Sequence, residues 1–192
     1  DGENYNFSAD LNLYAIWVVQ TSNSVTFDGN GADVGSSTPS QTASASTVLN
    51  ANGFTRSGYT FIGWNTRADG TGVNYSSGYT YSFATGVTLY ARWSQNFTIS
   101  YAGNTSESGT VPVAQTYYAG GPRLTVATNT GNLRKAGYTL IGWNTAANGS
   151  GTSYALGGTN ATFSSNTTLY AQWTGTTYYI LYNDNAATSG SA

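Results

Sequence analysis

The chain has 192 residues, of which 7% are charged and 15% aromatic, with no cysteine, no histidine and a formal net charge of −2. Those figures exclude a disulfide-stapled fold, a thiolate metal site and any Ser–His or Cys–His nucleophile pair, and they leave no basic footprint for nucleic acid. No stretch reaches the length of a membrane span, and no basic-then-apolar leader follows Asp1, so a secretion signal, if used, is expected outside this sequence.

Taken in chain order, the predicted elements recur. Leu13-Tyr14-Ala15-Ile16-Trp17 comes first and returns as Leu89-Tyr90-Ala91-Arg92-Trp93 and Leu169-Tyr170-Ala171-Gln172-Trp173, at intervals of 76 and 80 residues. A short alternating strand, Val25-Thr26-Phe27, follows the first copy, and its counterparts are Ile99-Ser100-Tyr101 and Ile180-Leu181-Tyr182. Each leads into a Gly/Asn-rich turn and a connection carrying Pro39 or Pro112, then a predicted strand around Gln41–Leu49 or Gln115–Ala127. The links 50–57 and 128–136 have room for one helical turn, and their Asn-Gly and Thr-Gly pairs oppose anything longer.

The phrase Gly-Tyr-Thr-x-Ile-Gly-Trp-Asn-Thr begins at Gly58 and again at Gly137. It reads as a buried strand, with its aromatics and Ile62 or Ile141 suited to a β pleat. Asp69-Gly70 and Asn148-Gly149 then favour the positive φ of a tight turn, and Val73-Asn74-Tyr75 or Thr152-Ser153-Tyr154 returns as the second arm of a hairpin. In the closing strand, alternation puts Leu89, Ala91 and Trp93 on one face and Tyr90 and Arg92 on the other. The penultimate position holds Ile16, Arg92 or Gln172, so that face is read as exposed and the Leu-Ala-Trp face as core. Trp17, Trp64, Trp93, Trp143 and Trp173 are accordingly the expected structural core.

The organisation that follows is an array: 1–17 as the last part of a repeat, 18–94 and 95–174 as full modules, and 175–192 as the first part of another. Cut mid-repeat at both ends, the chain reads as an excerpt of something longer. Trp93 and Ile99 have neither Pro nor Gly between them, which predicts a nearly direct passage between modules and a semi-rigid rod.

Together these residues resemble the Listeria–Bacteroides repeat, also known as the internalin-type B repeat. The likeness lies in the aromatic opening strand with its Gly/Asn turn, the Gly-Tyr-Thr-x-Ile-Gly-Trp-Asn-Thr phrase, the Asp/Asn-Gly-x-Gly turn and the Thr-Leu-Tyr-Ala-x-Trp ending. The resemblance implies a mainly β fold with little helix: tandem, small β-grasp-like modules in secreted or wall-attached bacterial proteins. There they serve as spacers or stalk segments of adhesins, with no catalytic residue to carry over.

Direct search for chemistry leads the same way. The eight acidic residues form no pair that recurs in both modules, and neither an enzyme nor a cofactor is expected. Asp28, Asn30 and Asp33 are oxygen donors that could hold Ca²⁺, but the second module offers Ala102, Asn104 and Glu107 there. The turn-forming habit of Asp and Asn is the preferred reading, and no metal site is assigned. Lys135, the only lysine, limits an intramolecular isopeptide bond to one module. Tyr14, Tyr90 and Tyr170 on the outer face, with Tyr75 and Tyr154 in the returning strands, are the candidate contacts to a glycan or partner. The expected partners are neighbouring repeats of the same chain, with identical subunits, a host protein or a glycan as further candidates. An Ile180-Leu181-Tyr182 edge could also add to another molecule's sheet to build a fibre.

Overall fold

In a computed structural model of the chain, residues 12, 14–17 and 19–180 are described. The regular elements among them are all strands: β1 (Asn23–Asp28), β2 (Gln41–Ala43), β3 (Thr47–Val48), β4 (Tyr59–Asn65), β5 (Asn74–Tyr75), β6 (Thr80–Tyr81), β7 (Val87–Ala102), β8 (Gln115–Tyr118), β9 (Tyr138–Asn144), β10 (Ser153–Tyr154) and β11 (Thr167–Gly175). The protein is mainly β. Two compact units divide it, one comprising residues up to Thr55 with Ile62–Arg92, the other Arg56–Phe61 with residues from Trp93 onward. β7 runs unbroken for 16 residues, so the closing phrase at Leu89 and the opening phrase at Ile99 share one strand.

Both repeats pair their strands alike. In the first, β1 is antiparallel to β2 and parallel to the start of β7, with Val25 opposite Val87 and Asp28 opposite Tyr90. In the second, the end of β7 is antiparallel to β8 and parallel to β11, with Ile99 opposite Thr167. β4 pairs with β5, and β9 with β10, as the two predicted hairpins; Gly70 and Gly149 hold φ of 77° and 79° in the turns. A two-stranded β3–β6 pair in the first repeat becomes a single Leu124–Ala161 bridge in the second.

Alternation then separates the faces. Leu89, Ala91, Leu169 and Ala171 are fully buried, while Tyr90, Arg92, Tyr170 and Gln172 between them are half-buried. Val25, Leu49, Trp64 and Phe83 join the first pair in one core. Ile99, Val126, Leu133, Trp143 and Phe163 join the second in another. Each large apolar side chain so buried stabilises by about 1.5–3 kcal/mol, and the ring pairs Phe27–Trp64 (tilted) and Tyr101–Trp143 (edge-on), both 4.7 Å between centroids, add aromatic contacts.

Four sequence expectations need correction. The long strands expected at Gln41–Leu49 and Gln115–Ala127 are broken, because their two ends serve different partners: β2 pairs with β1 and β3 with β6. No helical turn forms in the links. Asn52 there bonds Phe54 through both its amide nitrogen and its oxygen, and Asn129 does the same with Leu133, so side-chain amides take the backbone groups a helix would use.

Ile62 and Ile141 face outward, 37% and 57% exposed. In β9 Gly142 opposes Gln172 but Leu140 opposes Trp173, so Ile141 is the extra residue of a β-bulge. That bulge lets Leu140 and Trp143, three apart, share the core face. Finally, the five tryptophans are not equivalent. Trp64 and Trp143 are fully buried, Trp93 and Trp173 are half-buried, and Trp17 is 90% exposed. Trp17 is therefore part of neither of the two cores described.

Candidate functional site

Polar side chains that recur in both repeats form three networks, and each ends inside its own repeat. The largest centres on Asn65 and Asn144, the asparagines after the central tryptophans, both fully buried. The Asn144 amide nitrogen donates to Gly149 O (3.2 Å), Gly151 O (3.1 Å) and Ser153 Oγ (2.8 Å). Its oxygen accepts the N–H groups of Ala146 (2.8 Å) and Gly151 (3.0 Å). Asn65 makes the same five bonds to Gly70, Gly72, Asn74, Arg67 and again Gly72. Beside them Thr66 Oγ1 accepts Val73 N–H and Thr145 Oγ1 accepts Thr152 N–H, each at 2.9 Å. One buried amide thus replaces the ladder across a glycine-rich loop that has no strand of its own.

A second clamp uses the opening turn. Asn30, at φ 46°, donates through its amide to Ala68 O and Ala91 O, and Asn104, also at φ 46°, donates to Ala147 O and Ala171 O. The third uses Gln41 and Gln115, whose amide nitrogens donate to Val48 O and Thr125 O. Here the repeats differ by one oxygen. Gln41 Oε1 accepts Asn50 N–H directly, whereas Ala127 N–H donates to the Tyr101 hydroxyl and that hydroxyl donates to Gln115 Oε1. The first repeat carries Phe27 where the second has Tyr101.

Burial pushes the Tyr101 hydroxyl above its ordinary pKa of 10.0, against a smaller lowering by the Ala127 N–H. A raised folded value means the unfolded chain ionises first as pH climbs. The contribution of Tyr101 is therefore whole below pH 10.0 and is lost as pH rises through the folded value. Tyr101→Phe is expected to cost about 1 kcal/mol at neutral pH and to flatten the alkaline decline in stability. Urea unfolding on both sides of pH 10.0 checks this; an unchanged alkaline slope would count against the relay.

The candidate contacts are scattered. Tyr14 is 85% exposed and Tyr90 and Tyr170 are half-buried on the outer face of their strands. Tyr75 and Tyr154 are committed to packing: Tyr75 meets Tyr79 and Tyr81, and Tyr154 meets Phe163, all within 6 Å between ring centroids. Nothing brings the five onto one platform within a repeat.

The acidic and basic groups are equally occupied. Asp28 Oδ1 accepts the Asn30 N–H at 2.7 Å, which is turn chemistry. Asp69 Oδ1 accepts both the N–H and the hydroxyl of Thr71, and those bonds hold its carboxyl below the usual value, so it stays ionised at neutral pH. Among the described residues no three Asp or Glu gather as a metal would need. Lys135 donates to Thr105 Oγ1 at 2.9 Å and lies 4.3 Å over the Tyr138 ring, a pairing matched by Arg56 over Tyr59 at 4.0 Å. A groove of about 560 Å³ in the second repeat has Tyr138, Trp173 and Leu140 in its wall, but the Glu107 carboxylate there already accepts Ala136 N–H. No helix among the described residues is long and apolar enough to cross a membrane, which says nothing of a β-barrel.

Sequence reasoning passed over Asn65 and Asn144. The signal was present: a Trp-Asn-Thr triplet repeated unchanged and followed, five residues after the asparagine, by Gly-x-Gly.

The same strands and turns are what known proteins share with this chain. A family model, the Listeria-Bacteroides repeat domain, matches residues 24–92 and again 97–172. Two proteins of Evansella cellulosilytica are similar. One, named "Putative Gly-rich membrane protein", is 37% identical over 150 residues, covering 75% of this chain and 17% of the relative. Another, named "Putative membrane protein", is 34% identical over 174 residues, covering 90% of this chain and 25% of the relative. The chain therefore spans a quarter or less of the length of these relatives. No solved structure matches. With two tandem matches covering most of its length, the chain belongs to the Listeria–Bacteroides repeat family.

Proposed function

We propose that this chain is a non-catalytic structural segment, a spacer or stalk, of an extracellular or wall-attached bacterial surface protein such as an adhesin. One observation carries the reading. The polar side chains common to both repeats (Asn30 and Asn104, Gln41 and Gln115, Asn65 and Asn144) are used in turns of their own repeat, so what has been multiplied is a scaffold. Family membership supports it, and "membrane" in the names of both relatives fits an envelope location. Parallel pairing of the first and last strands of each repeat supports a β-grasp-like module. The test is to display the chain on a bacterial surface with an epitope at its far end, beside a version lacking residues 95–174. Shortening should reduce antibody access to the epitope; equal access would count against a spacer.

A second reading, assembly into a fibre by strand addition, draws on Tyr178, Tyr179 and Ile180, which are 77%, 87% and 76% exposed after β11. Leu181 and Tyr182 lie outside the described residues. Light scattering over a concentration series tests it: mass that grows with concentration supports a fibre subunit, and constant mass removes it.

A further inference from the structure

Three Asn-Gly pairs occur in the chain, at Asn30, Asn52 and Asn148. An asparagine before glycine is open to attack on its own side-chain carbonyl by the next backbone nitrogen, since glycine places no Cβ in the way. The fold treats the three differently. Asn30 is half-buried, with its amide nitrogen held between Ala68 O (2.9 Å) and Ala91 O (3.0 Å). Asn52 is half-buried and bonded at both side-chain atoms to Phe54, and the Gly53 nitrogen behind it donates to Thr38 Oγ1 at 2.8 Å. In both, the leaving nitrogen is anchored and the side chain cannot swing.

Asn148 is exposed, and among the described residues its amide nitrogen donates to nothing. Its oxygen, by contrast, accepts two bonds from Ser150, from the N–H at 3.1 Å and from the hydroxyl at 2.8 Å. Two donors aimed at a carbonyl oxygen stabilise the negative charge that develops when that carbonyl is attacked. Among the described residues the Gly149 N–H itself makes one bond, the turn bond to Ala146 O at 3.0 Å, while the Gly149 carbonyl on the far side accepts the Asn144 amide at 3.2 Å.

We propose that Asn148 is a site of spontaneous deamidation in the folded protein, and that Asn30 and Asn52 are protected from it. The Gly149 nitrogen gives up its proton and bonds to Asn148 Cγ; the Cγ–Nδ2 bond breaks and ammonia departs with that proton. Water then opens the cyclic imide at one carbonyl or the other, leaving an aspartyl or isoaspartyl link and one added negative charge. The first repeat shows that the aspartyl product fits. At the equivalent position it has Asp69, whose Oδ1 accepts the Thr71 N–H at 3.0 Å and hydroxyl at 2.8 Å, the same pair of bonds. Asp69 itself resists the reaction, because an ionised carboxylate is a poor target for a nucleophile. This inference is independent of the spacer reading.

The test is to age the intact chain at mildly alkaline pH and map peptides by mass, with the Asn148→Asp variant as the marker for the aspartyl product and a urea-unfolded sample as the reference. In the folded chain the gain of about one mass unit should appear at Asn148 about tenfold faster than at Asn30 or Asn52, and in urea the three rates should converge. Equal rates at all three in the folded chain, or an Asn148 that reacts only in urea, would overturn the assignment.

Discussion

Asn144→Ala is expected to lower the unfolding free energy of the second repeat by about 3 kcal/mol. The substitution leaves five hydrogen bonds unmade at a residue with no exposed surface. The loss is less than five separate bonds would suggest, because the loop it organises is exposed and water can reach part of what is freed. Asn144→Asp separates shape from hydrogen bonding. It keeps the side chain's size but has no N–H for Gly149 O or Gly151 O, and it would bury a charge among carbonyls, so it should be at least as damaging. Asn65→Ala should match Asn144→Ala in the first repeat. Urea unfolding curves decide the matter, and a loss below about 0.5 kcal/mol, the range of an ordinary surface change, would mean the amide is a passenger.

Gly63→Ala should cost a similar amount for a different reason. At Gly63 the backbone sits at φ 128°, and a Cβ built there falls 2.6 Å from Tyr75 O, closer than a real methyl group can come. At Gly142 the Cβ meets Tyr154 O at the same 2.6 Å, next to the bulge at Ile141. At Gly63 the returning strand must move away, and with strain at φ added the expected cost there is about 3 kcal/mol. Gly58→Ala is the control. Its φ of 77° is also left-handed, but a Cβ there meets nothing within 4 Å, so only the conformational cost of about 1 kcal/mol applies. If the two variants melt together, the close approach to Tyr75 contributes nothing.

Much of this fold was legible because its signals are local and doubled. Period-two alternation marked Leu89 and Ala91 as core, Asp69-Gly70 and Asn148-Gly149 marked the hairpins, and the spacing of identical phrases marked the array. Misreadings came where tertiary demands override the local pattern. Ile141 lies in a phrase that reads as a buried strand, yet it is 57% exposed as the extra residue of a bulge, and bulges depend on a register with β11 that no short window reveals. The strand from Gln41 to Leu49 looks continuous because its composition is, yet its halves pair with β1 and β6, which lie in opposite directions along the chain. Trp17 carries the same phrase as Trp93 and is nonetheless 90% exposed. A core residue is defined by what covers it, and composition cannot supply the cover.

The candidate site shows the opposite bias. In the sequence the tyrosines stand out because exposed rings suggest ligands, while the asparagines that organise both repeats look like ordinary loop residues. Their role depends on full burial and on five simultaneous bonds, which are properties of the closed loop and not of the Trp-Asn-Thr triplet alone.

Native-state hydrogen exchange at the amides of Gly72 and Gly151 tests most directly whether the shared polar residues are scaffold. Both N–H groups lie in exposed-looking turn segments and donate only to the buried oxygens of Asn65 and Asn144. If these clamps hold the repeats together, both amides should exchange as slowly as those of Leu89 and Leu169 in the strands, limited by global unfolding. Exchange as fast as in an open loop, with the strand amides still protected, would show that the asparagines do not carry the fold and would contradict the account.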